Sequence, residues 1–316
     1  MDSEADTESY LLLLLSDGNL PTGSFVASSG LESLFAHALA TPHPPTNGPG
    51  MTKAHSDPLL AITSSIRDSL SSYARSAIPF VRDTHRVVED YAATISSDDS
   101  DALDRALEGL LELDALYECS TLNHVARRAS STQGVALLTL YSKGFAVPSF
   151  LSSSSSSSAP QETNADADAD GTKRREARMA RLVDRLKFLV RRGDTPGHLP
   201  VCWGVLAGAL GLSLARTTHL HLFLHARSLL SAAIRMNILG PYASQQILLH
   251  VVRPLVESEV KRVGGVRTGV LSRSMRLGDE EGDIWAASLH GPANTWPLGE
   301  IVAARHDLLH SRIFNS

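Results

Sequence analysis

The sequence predicts an all-α protein, a single-domain helical bundle with a buried apolar central helix and low-complexity loop insertions. Apolar residues recur in steps of three and four along several long segments, which is the helical period. Sustained strand-like alternation is absent from the sequence. The stretch 199–215 is apolar on every face, as a helix buried at the centre of a bundle would be. Its length and its glycines favour a core helix over a membrane span of about 20 residues.

The first motif of the chain predicts a turn followed by a helix. Pro21 fixes one backbone angle and Gly23 permits angles that other residues avoid, so the chain can turn sharply here. The apolar positions from Leu31 onward then follow one helical face. Ser29 and Glu32 have the spacing of a capping box, so we expect their side chains to close the start of this helix.

Three longer apolar stripes predict the main helices. The first follows residues 59–81, where Pro79 should kink or end the helix. The second follows residues 103–117. The third follows residues 220–238, and Gly240 stands where the C-terminus of a helix favours glycine. We therefore expect one domain over residues 1–316, built from these helices and the apolar central helix.

Three segments interrupt or flank this pattern. Residues 41–58 are rich in proline and glycine, which predicts a loop. Residues 149–172 contain a serine run and an Ala-Asp alternation, too polar to bury a core, so we expect a disordered insertion. The basic residues from Lys173 to Arg192 then form either a solvated helix face, the interpretation we favour, or a docking surface. The apolar tail 293–316 either folds back on its own bundle or docks on another chain.

The composition excludes several classes of protein. A net charge of −5 argues against nucleic acid as the main partner. The two cysteines, Cys119 and Cys202, are far apart and predict neither a disulfide framework nor a thiolate zinc site. The residues before the leucine run 11–15 are acidic, whereas a signal peptide begins with a positively charged region. We therefore expect a cytoplasmic protein that does not bind membranes.

No motif predicts catalysis. The sequence has neither a phosphate-binding G-x-x-x-x-G-K-[ST] loop nor a G-x-S-x-G elbow, so we expect no enzyme activity. His221 and His225 are four residues apart, as are His306 and His310, and such pairs can share a metal on a helix. Each pair is only half a site, and the chain has 13 histidines, so we favour structural roles and predict no metal site.

The N-terminal motif resembles the signature of the UreF family of urease accessory proteins, in which a similar turn precedes a Gly-Leu-Glu helix start. This motif reads Leu20-Pro21-Thr22-Gly23-Ser24-Phe25 and leads to Gly30-Leu31-Glu32. Three further stretches agree in the order of the family: residues 127–134, residues 232–246 and residues 305–314. The resemblance implies an all-α homodimeric adaptor without its own cofactor. It implies binding to UreD (UreH), recruitment of the GTPase UreG and delivery of nickel to apo-urease.

The resemblance also implies partner-contacting residues. They are Glu32, Arg128, Arg235, Gln245, Gln246, Arg305, His306, Arg312 and Phe314. Glu32 could instead serve only as a helix cap, and Arg235 could instead complement a helix dipole. In the partner interpretation, Arg235 presents its guanidinium beside the two glutamines. Two alternatives stay open: a regulator that places Arg235 in the UreG active site, and a nickel metallochaperone that uses His306 and His310.

Overall fold

The chain is described by a computed structural model over residues 2–18, 20, 22, 24–37, 58–94, 99–146, 165–271 and 291–316. All regular secondary structure in these ranges is helical, which confirms the all-α prediction. None of the helices in these ranges is long and apolar enough to cross a membrane. Pro21, Gly23, nearly all of the predicted loop 41–58 and the serine run of the predicted insertion lie outside the described residues.

The described ranges contain eleven α-helices, numbered in chain order. They are α1 Asp2–Leu15, α2 Leu31–Ala36, α3 Pro58–Ala93, α4 Asp99–Ser120, α5 His124–Leu140, α6 Ala165–Arg192, α7 Leu199–Ala209, α8 Leu214–Arg235, α9 Pro241–Ile247, α10 Arg253–Arg262 and α11 Pro297–Ala304. Wider π turns at Tyr141–Phe145 and Leu248–Val252 continue α5 and join α9 to α10. Short 3-10 turns occupy Ser24–Val26 and Arg305–Leu308.

The structure shows how far two of the helices extend. Of the two outcomes predicted at Pro79, an end of the helix is wrong, because α3 is 36 residues long and has Pro79 in its interior. The buried stripe on both sides of Pro79 packs into the core, which offsets the hydrogen bond that proline cannot make. The insertion expected to be disordered over 149–172 is helical from Ala165 onward. Buried residues farther along α6, such as Met179 and Leu182, anchor the helix to which this segment belongs.

Helix α7 is the predicted central element, and its residues from Pro200 to Gly208 are all buried. It packs against α3 and α5. Two glycines bring the axes of α7 and α3 close together: a Cβ on Gly204 would lie 2.8 Å from Thr84, and one on Gly208 would lie 2.9 Å from Val88. The prediction of a buried central helix is therefore confirmed.

The turn that leads into α7 is held by a buried carboxylate. Asp114 of α4 accepts hydrogen bonds from the backbone N–H of Gly197 at 2.7 Å and of His198 at 2.8 Å, and also from the Thr195 hydroxyl. The same turn abuts α5, where a Cβ on Gly134 would overlap the Gly197 carbonyl oxygen. The start of the central helix is thus positioned by both α4 and α5.

Candidate functional site: the C-terminal strap

Residues 305–316, called the strap below, follow α11 and lie across α2 and the segment before it. The Glu32 carboxylate accepts hydrogen bonds from the backbone N–H of Ile313 at 2.6 Å and of Phe314 at 3.2 Å. Glu32 is only 6% exposed, so both bonds form in a protected environment. A buried carboxylate that accepts two N–H bonds is a strong anchor, because charged acceptors form stronger hydrogen bonds than neutral ones.

The predicted capping box between Ser29 and Glu32 is wrong. Gly30 is the N-cap of α2, and no side chain caps it by a hydrogen bond. Gly30 has a φ of 84°, in the left-handed region that glycine tolerates best, so the chain enters α2 by a backbone turn. The Glu32 side chain instead points to the strap, which its position in the sequence does not reveal.

Two backbone bonds and a buried histidine complete the attachment of the strap. The Asn315 N–H donates to the Val26 carbonyl at 2.8 Å, and the Ser28 N–H donates to the Ser316 carbonyl at 2.5 Å. His306 is fully buried, and its Nε2 lies 3.2 Å from the Phe314 carbonyl. Burial lowers the pKa of His306, although nearby Glu32 opposes this effect. A neutral ring that donates from Nε2 makes this bond, whereas Nδ1 lies 3.8 Å from the Glu32 carboxylate and has no hydrogen-bond partner among the described residues.

Arg235 is not the open guanidinium of the partner interpretation, because it packs against two aromatic rings. Its guanidinium lies 3.7 Å from the ring centroid of Phe25 and 4.4 Å from that of Phe314, and it donates to the Phe25 carbonyl. Cation–π contacts of this kind contribute about 0.5–2 kcal/mol. Arg235 therefore joins the N-terminal segment to the strap.

A second set of charges fastens the strap to α5. Arg128 donates to both carboxylate oxygens of Asp307, at 2.9 and 3.2 Å, and also to the Asn315 carbonyl at 3.1 Å. Arg312 and His124 also contact Asp307, each at 3.0 Å. The Arg128 hydrogen bonds are the largest cause of the lowered pKa of Asp307, and they raise the pKa of Arg128. The cluster is partly exposed, so solvent screens it more than the Glu32 contacts.

The structure thus brings most of the predicted contact residues into one place. Glu32, Arg128, Arg235, His306, Arg312 and Phe314 all touch the strap or belong to it. Arg305 is exposed at its start, where its carbonyl lies 3.4 Å from His37 Nε2. Gln245 and Gln246 are exposed on α9 instead, and Gln246 lines a shallow groove with Leu59 and His250.

The tail folds back on its own bundle, the first of the two alternatives. Phe314 is only 3% exposed, so it is an internal anchor in this conformation and not a free docking side chain. Sequence reasoning assigned no role to Phe25 or His124. Phe25 belongs to the N-terminal motif, but only its place beside Arg235 shows what it contacts.

A cavity of about 530 Å³ lies beneath the strap and includes Phe314, Tyr73, His221 and His225 in its lining. His225 stacks on Tyr73 with ring centroids 4.0 Å apart, and its Nε2 lies 3.0 Å from the Ser69 hydroxyl. His221 Nε2 lies 2.9 Å from the Tyr73 hydroxyl. Each imidazole of this pair therefore has a polar partner within the protein.

The structure separates the other histidine pair. His306 is buried whereas His310 is exposed, and a 3-10 turn followed by irregular chain replaces the α-helix on which the shared-face argument depended. Across the described part of the chain, no group of three or more His, Cys, Asp or Glu side chains could hold a metal ion.

This histidine pair, with His221 buried and His225 half-buried, is expected to make stability depend on pH. Burial lowers the pKa of His221 from 6.5 to about 3 and that of His225 from 6.5 to about 4. Below pH 6.5 the unfolded chain therefore binds protons that the folded chain does not. We expect the unfolding free energy to fall between pH 6.5 and 4, by about 1.4 kcal/mol per pH unit for each histidine.

Urea unfolding at several pH values checks this expectation. In His225→Gln the unfolding free energy should depend less steeply on pH. The matched change at exposed His250 should leave this pH dependence as in the parent protein. Equal slopes for the parent protein and His225→Gln would contradict the assignment.

Comparison with known proteins identifies the family. The UreF family model matches residues 62–252. Urease accessory protein 6 of Cryptococcus neoformans var. grubii is 40% identical over 321 aligned positions, covering 98% of this chain and 97% of the relative. An uncharacterized urease accessory protein, UreF-like, of Schizosaccharomyces pombe is 27% identical, covering 99% and 100%. Urease accessory protein F of Arabidopsis thaliana is 25% identical, covering 96% and 90%. The chain therefore belongs to the UreF family, whose members are urease accessory proteins.

Proposed function

We propose that this protein is a non-catalytic, cytoplasmic adaptor in the assembly that inserts nickel into apo-urease. In this proposal it acts as a homodimeric chaperone that contacts UreD (UreH) and the GTPase UreG, and nickel is the cargo of the assembly. The observation that carries the proposal is the match to urease accessory proteins along nearly the whole chain. A role in urease maturation follows from membership of the family. The identity of the partners and the surfaces that they contact are what we propose.

The outer face of the strap and of α11 supports an adaptor role. Its apolar side chains are between 51% and 64% exposed: Leu298, Ile301, Leu308 and Ile313. Exposed apolar side chains with charged groups beside them are typical of protein–protein contact sites. The Arg128, Asp307 and Arg312 cluster supplies such charges on the strap itself. We therefore assign UreD to this face.

Reconstitution tests the proposal. The chain is purified with its cognate UreD and UreG, and urease activation is measured with nickel and GTP, with and without this protein. We expect a stable complex and activation that depends on the chain. No complex, or equal activation without the chain, would contradict the adaptor role.

Surface variants test the assigned face. Changing Ile301 and Leu308 together to serine should remove UreD from the complex, because both side chains are exposed and neither lies in the core. The matched control is Leu60→Ser, which changes a leucine that is 69% exposed on α3. If the double variant retains UreD, the assignment of UreD to this face is wrong, but the adaptor role is not contradicted.

The two alternatives predict different results. A GTPase regulator would lose its effect on UreG hydrolysis in Arg235→Ala, although this arginine is half-buried between two phenylalanine rings. A nickel metallochaperone would bind Ni²⁺ stoichiometrically as an isolated chain. If Arg235→Ala leaves GTP hydrolysis by UreG unchanged and the isolated chain shows no heat of nickel binding, both alternatives are excluded and the adaptor role remains.

A further inference from the structure

Three arginines converge where the segment 263–271, which follows α10, crosses α3. The segment is tied to α3 by Asp83, which accepts hydrogen bonds from the Thr268 N–H at 2.9 Å and from the Thr268 hydroxyl at 2.5 Å. Arg267 Nε lies 3.8 Å from the other oxygen of Asp83. Arg82 and Arg86 flank Asp83 on α3, and residues four apart share a helix face.

Within the part of the chain that the structure describes, this cluster contains more positive than negative side chains. Among the described residues, Asp83 is the carboxylate that contacts the cluster, and it already binds Thr268 and Arg267. Arg82 Nε is buried without a hydrogen-bond partner. In the described ranges of the chain, neither Arg82 nor Arg86 forms an ion pair.

Electrostatics agree with this geometry. Burial lowers the pKa of Arg82, and the neighbouring Arg267 and Arg86 lower it further. Burial also lowers the pKa of Arg267, with Arg86 as the next cause. A buried donor without a partner costs stability, and neighbouring positive charges disfavour one another. Arg86 is exposed, so solvent screens part of this repulsion.

We propose that Arg82, Arg86 and Arg267 form a binding site for a phosphate group. Three guanidiniums and one carboxylate leave two positive charges, and a phosphate carries a charge of about −1.5 to −2 at pH 7. The planar fork of arginine matches phosphate oxygens, which would also satisfy the buried Nε of Arg82. The bound anion bridges α3 and the 263–271 segment. This site is independent of the strap and of the proposed adaptor role.

Calorimetric titration of the full chain with inorganic phosphate at low ionic strength tests the site. Arg82→Met keeps the apolar stem and removes the charge and the donors, so we expect at least a tenfold loss of phosphate affinity. Without phosphate this variant should melt at the same temperature as the parent or higher, because repulsion is relieved. The matched control is Arg185→Gln, which removes an exposed arginine from α6.

Four outcomes decide the proposal. Phosphate binding that is lost in Arg82→Met and retained in Arg185→Gln supports the site. No phosphate binding by the parent, or equal weakening in both variants, overturns it. A second variant, Arg267→Gln, should reproduce the loss, and its failure to do so would also overturn the site. A parallel titration with GDP shows whether the phosphate group belongs to a nucleotide or is free phosphate. If GDP binds more tightly than inorganic phosphate, the ligand is a nucleotide. If GDP binds equally or more weakly, the ligand is free phosphate.

Discussion

Replacing Glu32 with alanine is expected to release the strap while the helices beneath it stay folded. The variant leaves the N–H groups of Ile313 and Phe314 without their acceptor, and each unmade buried bond costs about 1–3 kcal/mol. Opening should be local, because the core helices do not depend on this carboxylate. A loss near 3 kcal/mol corresponds to roughly a hundredfold faster amide exchange at these two residues.

Hydrogen exchange of the C-terminal peptide measures this release directly. Glu257→Ala is the matched control, because Glu257 is exposed and pairs with Arg253 at 3.1 Å on its own helix. The control should leave exchange in the strap unchanged. If protection of Ile313 and Phe314 survives in Glu32→Ala, the carboxylate does not hold the strap. In the reconstituted assembly, the same variant shows whether a docked strap is needed for UreD binding.

Replacing Gly134 with alanine is expected to destabilise the whole bundle. The new methyl group would overlap the Gly197 carbonyl oxygen and lie 2.9 Å from the carbonyl carbon of His198. That turn cannot move aside easily, because Asp114 holds its N–H groups at 2.7 and 2.8 Å. We expect a loss of at least about 3 kcal/mol, the upper end of usual overpacking costs.

Denaturant unfolding of Gly134→Ala measures this loss. The matched control is Gly171→Ala on α6, where a Cβ would meet nothing within 4 Å. Alanine there should stabilise the helix by about 0.5–1 kcal/mol, because glycine loses more conformational freedom on folding. Similar unfolding free energies for the two variants would show that α5 and the turn are not as close as described.

The candidate site was predicted in part. The motifs marked Glu32, Arg128, Arg235, His306, Arg312 and Phe314, and the structure places all of them at the strap. The contacts that these side chains make inside the protein were not predicted from the motifs, and their role in partner binding stays a prediction. Glu32 has capping-box spacing with Ser29, but its acceptor oxygens serve the strap. Arg235 has the position of a helix-end cation, but it is held between two aromatic rings.

The sequence by itself determined the helical class and the buried central helix, because apolar periodicity is local and burial of an apolar face follows from it. Only the tertiary structure decided where the tail lies. The bond between Ile313 and Glu32 joins residues 281 positions apart, and no local pattern encodes such a contact. The same holds for Asp83 and Thr268, which are 185 positions apart. Hydrogen bonds are directional, so these pairings depend on how the packed helices orient each group.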